Sequence, residues 1–148
     1  MKKVIFDLDG TLADNKHRFH LAEKKDWRAY FAACPHDTPI HPIIELMHTI
    51  HICHDAHVEI WSARSDEVRA ETELWLRKHI SFWAPGSIPL RMRKAGDWSP
   101  DVILKESWLV SERLAGNEII MVFDDRDSVV AMWRKNGIIC LQVAEGNF

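Results

Sequence analysis

The chain has 148 residues, 47% of them hydrophobic and 28% charged, with a formal net charge of -3. That balance suits one globular domain with a real core; it argues against a disordered chain and against a strongly basic protein that coats long nucleic acid. Cys34, Cys53 and Cys140 form no CxxC pair, which argues against a disulfide frame or a structural zinc site and fits a reducing compartment.

The first expected element is a strand at Val4 to Leu8, preceded by Lys2 and Lys3. Its apolar run stops at Asp7, too soon for a membrane span or a signal peptide, so a cytoplasmic protein is expected. In "VIFDLDGTLAD", Asp7 and Asp9 stand at the carboxyl end of the run, and Gly10 lets the backbone turn and approach a ligand closely. Adjacent carboxylates repel and need a cation or a shared proton, and Mg²⁺ takes such hard oxygen ligands together with phosphate and water. Taken alone, the pair also reads as a turn after a strand-end charge.

Residues 14 to 40 are rich in His, Lys and aromatics and read as a small helical cap, followed by a helix around Ile43 to Ile50. Trp27, Tyr30 and Phe31 have helical spacing: they either form a seam between cap and core, or one of them stacks on a base. In "HTIHICHDAH", His48, His51, His54 and His57 recur every third residue. The run crosses from helix into turn and strand, so it reads as helix-end chemistry rather than a metal site.

The next strand, Val58 to Trp61, leads into Ser62 and Arg64 of "WSAR". A helix over Asp66 to His79 should bury Val68, Leu74 and Trp75. Ser99 reads as an N-cap and Pro100 as the first-turn residue of a helix running to Ala115, which carries Lys105. Gly116 and Gly137 mark helix ends. The strand Ile119 to Phe123 runs into "FDDRD", with Asp124, Asp125 and Arg126, and a last strand covers Ile138 to Val143. Trp61, Trp75, Trp108 and Trp133 fall at buried-looking positions.

Strands alternating with helices predict an α/β fold, a mostly parallel sheet flanked by helices. Ligands in such sheets sit at the carboxyl ends of the strands. That rule gathers Asp7, Asp9, Ser62, Arg64, Asp124, Asp125 and Arg126 on one edge, with Lys105 reaching in from a helix.

These clusters, in this order, resemble the four motifs of the haloacid dehalogenase superfamily of phosphotransferases: Asp7 and Asp9, then Ser62, then Lys105, then Asp124 with Asp125. The closer resemblance is to the 3′-phosphatase domain of phage-type polynucleotide kinase/phosphatase. It is carried by "RKAGDWSPDVILKE", by "DDRDSVVAMWRKNGIICLQVAEGNF" at residues 124 to 148, and by Arg18 nine residues after Asp9. It implies a Rossmann-like fold with a small cap inserted after the first strand, covering residues 1-148 as a single domain with 14-40 as the cap. The chain departs in having Ala63 where a glycine is usual, and a longer stretch between the first two motifs. No GxxxxGK[ST] occurs, so the kinase half is missing, a stand-alone phosphatase unit is expected, and any kinase is left to a separate partner.

The resemblance implies a mechanism in which Asp7 attacks phosphorus to form an aspartyl-phosphate. Asp9 would protonate the leaving hydroxyl and later deprotonate water. Ser62 and Lys105 would hold phosphoryl oxygens. Mg²⁺ would be bound by Asp7, Asp125 and the backbone carbonyl of Asp9, with Asp124 orienting water or Lys105. Arg18, Arg64, Arg93, Asp101 and Arg126 are the implied substrate-binding residues. The alternatives are solvated surface arginines at 18, 64 and 126, and an Asp101 that merely complements its helix end.

Three functions follow: a Mg²⁺-dependent phosphatase of nucleic-acid 3′ ends, a phosphatase of free nucleotides or other small phosphomonoesters, and a non-catalytic module that binds nucleic-acid ends. The sequence leaves DNA against RNA, and the oligomeric state, open.

Overall fold

A computed structural model describes residues 1-84 and 86-147 of the chain; Phe148, the last residue of the C-terminal stretch quoted above, lies outside the described residues. Five strands form the main sheet: β1 (Lys2–Phe6), β4 (His57–Ser65), β5 (Leu90–Arg93), β6 (Glu118–Asp124) and β7 (Ile139–Gln142). Their order is β5-β4-β1-β6-β7 and every neighbouring pair is parallel. The connections are α3 (His41–Cys53), α4 (Arg69–His79), α5 (Asp101–Leu114) and α6 (Asp127–Lys135).

Side chains alternate across each strand, so β1 feeds two cores. Val4 and Phe6 join Ile44, Met47, Trp75 and Leu76 on one side of the sheet. Ile5 joins Trp61, Trp108, Leu109 and Trp133 in the other cluster. The four tryptophans expected in the core are all buried. Among the described residues no helix is long and apolar enough to cross a membrane.

Between β1 and α3 the chain makes an insertion. A two-stranded antiparallel pair, β2 (Ala13–Asp14) and β3 (Thr38–Pro39), closes it. Inside lie a short 3-10 turn ending at Arg18, α1 (Phe19–Glu23), α2 (Trp27–Ala32) and a second 3-10 turn at Cys34–His36. The segment between β1 and α3 is thus largely helical.

Several local expectations need correction. β1 stops at Phe6 because the Leu8 carbonyl turns to accept from the amides of Thr11, Leu12 and Ala13. Leu74 is 60% exposed, since the buried face of α4 runs through Thr72, Trp75 and Leu76, and Val68 lies in a 3-10 turn before the helix and is only half-buried. Ser99 is not the N-cap of α5: Pro100 occupies that position, and the Ser99 amide and hydroxyl both donate to Asp97 instead. β5 was not foreseen because its four residues alternate with arginine after a proline. His48 and His51 stack on Phe82, and the described residues show no histidine cluster arranged to hold a metal.

Candidate active site

Three strand ends and one helix build the site. Asp7 follows β1, still tied to β6 by its amide, which donates to the Phe123 carbonyl at 2.9 Å. Asp124 closes β6 and Asp125 follows it. The carboxylate oxygens of Asp7, Asp124 and Asp125 lie within 4.8 Å of one another, all three residues buried. Lys105 reaches them from α5: its Nζ donates to Asp7 Oδ1 and to Asp124 Oδ2, each at 2.7 Å.

Two glycines permit this crowding. Gly10 has φ +83°, and a Cβ there would lie 2.1 Å from Asp125 Oδ2. At Gly146 a Cβ would come within 2.2 Å of the Asp125 carbonyl oxygen, so the C-terminal tail passes directly over the turn after β6. The Gly146 carbonyl accepts from the Asp127 amide at 2.8 Å, and Gln142 Nε2 donates to the Asp125 carbonyl at 2.9 Å.

The electrostatics follow from burial and crowding. Desolvation, with Asp124 and Asp125 adding to it, pushes the Asp7 carboxyl well above the usual carboxylate range despite Lys105. Desolvation and Asp124 push Asp125 up to about 7. Burial disfavours a charged Lys105, yet Asp124 and Asp7 together hold it protonated. Three carboxylates against one ammonium leave a buried negative excess, and the donors are hard oxygens. The set fits a small divalent cation such as Mg²⁺.

Asp9 is absent from that cluster because its carboxylate is turned to the arginines. Arg18 Nη2 donates to Asp9 Oδ1 at 2.6 Å, and Arg64 donates through Nε to Oδ2 at 3.2 Å and through Nη2 to Oδ1. Burial alone would raise Asp9, but Arg64 and Arg18 hold its carboxyl down at about 2. Both arginines are essentially inaccessible, at 0% and 1% exposure, which overturns the surface-arginine reading for them. A buried guanidinium needs its donors filled, and Asp37 fills them. It accepts from Arg18 Nε at 2.8 Å, Arg18 Nη2 at 2.7 Å, Arg64 Nη2 at 2.8 Å and is paired with His17 Nε2 at 2.8 Å.

A second ionic group flanks the site. Arg93 donates to the carbonyls of Ala63, Asp97 and Ser99 and to Asp101 Oδ1, so its fork straps the loop between β5 and α5. Asp101 also accepts from Arg126, which makes it more than a helix-end charge. Ser62 is fully buried, and its Oγ accepts from the Arg64 amide at 3.2 Å.

A cavity of about 380 Å³ opens over these groups, within the size range of small-molecule sites. Asp7, Asp9, Lys105, Asp124 and Asp125 line it. From the insertion come Asn15, Trp27, Tyr30 and Phe31, and from the β5–α5 loop come Lys94 and Trp98. Trp27 and Phe31 pack edge-on against Tyr30, whose ring lies 4.2 Å from the Arg18 guanidinium carbon.

The sequence reading missed Asp37, Asn15, Lys94 and Trp98. Asp37 carries no local signal, since in sequence it is only an acidic residue before Thr38 and Pro39. Trp98 lies between Asp97 and Ser99 in a loop with no hydrophobic period to mark it.

The sequence matches, over residues 1-148, the family described as the polynucleotide kinase PNKP phosphatase domain. A protein of Autographa californica nuclear polyhedrosis virus, named as a bifunctional polynucleotide kinase/RNA ligase, is 30% identical over 134 residues; the match covers 90% of this chain and 18% of that one. A solved structure of the Pnkp1/Rnl/Hen1 RNA repair complex contains a chain that superposes with a TM-score of 0.79 at 28% identity, covering 99% of this chain and 43% of that one. A haloacid dehalogenase-like hydrolase from Streptococcus pneumoniae shares the fold, with a TM-score of 0.61 at 15% identity over 95% of this chain and 83% of its own. The chain therefore spans less than half the length of the kinase-related relatives it matches.

Proposed function

Because the chain belongs to the polynucleotide kinase PNKP phosphatase-domain family and is a phosphatase of the haloacid dehalogenase type, we propose that it removes the 3′-phosphate from nucleic-acid ends through an aspartyl-phosphate. The carrying observation is that Asp7, bonded to Lys105 inside the buried acidic cluster, lines the same cavity as Asp9 and the Arg64 that holds it. A binding module gains nothing from an acidic cluster so costly to bury.

Asp7 is the nucleophile: its carboxylate attacks phosphorus as the ester oxygen leaves, dividing one displacement into two. Lys105 aligns Asp7 and offers its ammonium to phosphoryl oxygens, and the buried Ser62 steadies the backbone of Arg64 at the cavity edge. Asp124 orients Lys105. Asp7 and Asp125, with Asp124 beside them, would hold Mg²⁺ together with the Asp9 backbone carbonyl that the family resemblance implies, and the ion would supply the positive charge that an anionic carboxylate needs beside an anionic phosphate.

Asp9 is the proton donor to the leaving oxygen and the base for the hydrolytic water. In the free protein Arg18 and Arg64 keep it ionised. An incoming phosphate competes for the donors of Arg64, which lines the cavity, loosens its hold and returns Asp9 toward the protonated form its first role needs. Arg64 thus serves substrate and acid in turn, while the fully buried Arg18 ties Asp9 to Asp37. Arg93, Asp101 and Arg126, which line the same cavity, steady the substrate beside these groups.

The exposed rings of Trp27 and Trp98 on the cavity wall support a nucleic-acid strand as substrate, since bases stack on such platforms. The chain acts as one domain with residues 14-40 as its cap, in the cytoplasm. It works beside kinase and ligase activities of the kind its relatives are named for. Phosphate release from a 3′-phosphorylated oligonucleotide, a 5′-phosphorylated one and free 3′- and 5′-mononucleotides, with and without Mg²⁺, tests this. Selective release from the first is expected. Equal turnover of free mononucleotides would make the protein a nucleotidase, and no release from any would leave it a binding module.

A further inference from the structure

Asn15 is 3% exposed and lines the cavity beside Asp9 and Tyr30. Its Nδ2 donates to the Tyr30 hydroxyl at 2.9 Å. Its Oδ1 is buried and has no hydrogen-bond partner among the described residues. Buried polar atoms are nearly always paired, and leaving one unpaired costs about 1-3 kcal/mol. An orphan acceptor on a residue that lines the cavity calls for a donor that arrives with the substrate as the side chain adjusts to it.

Its placement narrows what that donor is. Tyr30 anchors the Asn15 amide and lies over Arg18, which in turn bonds Asp9. If Asp9 faces the leaving ester oxygen, the terminal sugar lies along the wall that runs from Asp9 through Tyr30 to Asn15. In a ribonucleotide, the hydroxyl next to that ester oxygen is the 2′-OH, both a donor and an acceptor. A deoxyribonucleotide offers nothing there.

We propose that Asn15 is a specificity residue that accepts a hydrogen bond from the 2′-hydroxyl of the terminal sugar, making the site selective for 3′-phosphorylated RNA over DNA. This rests on the 3′-phosphatase reading above. A site built to pair a hydroxyl rejects the analogue lacking it, because its own polar atom is then left buried and unpaired.

The test compares kcat/KM for three 3′-phosphorylated oligonucleotides of one base sequence, differing at the terminal sugar: ribose, deoxyribose and 2′-O-methylribose. Wild type is expected to favour ribose roughly tenfold or more, the factor that one such bond supplies. The 2′-O-methyl substrate, which keeps the oxygen but loses the donor, should fall to the deoxy level. Asn15→Ala should bring the ribose to deoxyribose ratio close to one by slowing the ribose substrate alone. Equal turnover of ribose and deoxyribose ends by wild type would overturn the assignment while leaving the 3′-phosphatase reading standing. So would an equal loss on both in Asn15→Ala, which would make Asn15 only a prop for Tyr30. Should Asn15→Ala fail to fold, the three-substrate comparison on wild type decides by itself. If wild type released phosphate from none of the three, both readings would fall together.

Discussion

Asp9 and Asp37 are joined through the same two guanidinium groups: Arg18 Nη2 donates to both carboxylates, and so does Arg64 Nη2. Asp9 stands in the turn that follows β1, whereas Asp37 belongs to the return arm of the insertion. The pair of arginines therefore locks the insertion to the sheet edge as well as holding the proposed acid.

Asp37→Ala should be the most disruptive change outside the acidic cluster. It leaves two buried guanidinium groups with a single carboxylate to share, and breaking such a network costs about 3-5 kcal/mol. Denaturant unfolding should show that loss. Asp37→Asn, which keeps the shape, should recover part of it. A stability within error of wild type for both variants would show that the arginines find other partners.

Asp7→Asn should behave in the opposite way. It removes charge from a crowded buried cluster, so thermal stability without metal should hold or rise. Turnover should fall about a thousandfold or more, as expected for loss of a nucleophile. Metal-dependent activity surviving in a clean preparation would exclude attack by Asp7.

Metal and pH should be linked through Asp125. Its folded carboxyl is raised to about 7 from the 3.8 of a free aspartate, so protonation stabilises the metal-free fold at low pH and that stabilisation is lost as pH rises through about 7. Mg²⁺ needs the ionised form. Its addition should therefore raise the melting temperature more at pH 8 than at pH 6, and a chelator should reverse the gain. A shift independent of pH would take Asp125 out of the metal site.

Asp9 gives the reverse sign. Its folded carboxyl is lowered from 3.8 to about 2, so its ion pairs contribute stability above pH 3.8 that is lost as pH falls through about 2. Arg64→Ala should abolish much of that acid-side dependence, and Arg64→Lys should not restore it. Arg64 uses three separate nitrogens, Nε and Nη2 toward the acids and Nη1 toward Thr72, which one ammonium cannot imitate. Acid unfolding curves of the three proteins would show whether lysine suffices.

Trp98, 74% exposed, and Trp27, 41% exposed, line one cavity from different segments. The loop that carries Trp98 is strapped by Arg93 and Asp97, so the ring is presented on a fixed backbone. Trp98→Ala should lower the ratio of oligonucleotide to small phosphomonoester kcat/KM by roughly fivefold to a hundredfold, the effect of losing about 1-3 kcal/mol of stacking. Trp98→Phe should keep most of it. An unchanged ratio would remove the stacking role.

Much of the site was legible because it depends on position within a strand. A carboxylate pair just after an apolar run, and another just after a second run, must share an edge if the strands are parallel neighbours, and β1 and β6 are. The alternation of strands and helices carried the fold in the same way, and Gly116 and Gly137 closed helices with φ of +76° and +78° as their spacing implied. What the sequence alone could not determine were the pairings across distance: Lys105 against Asp7, 98 positions away, and Asp37 between Arg18 and Arg64. Nor could it tell which half of an arginine set is buried, or which face of α4 turns inward and leaves Leu74 outside. Local patterns report what a residue does to its own backbone. Which opposite charge neutralises a buried one, and which polar atom is left waiting for a partner, is decided only when segments far apart in the chain are packed together and water is expelled from between them.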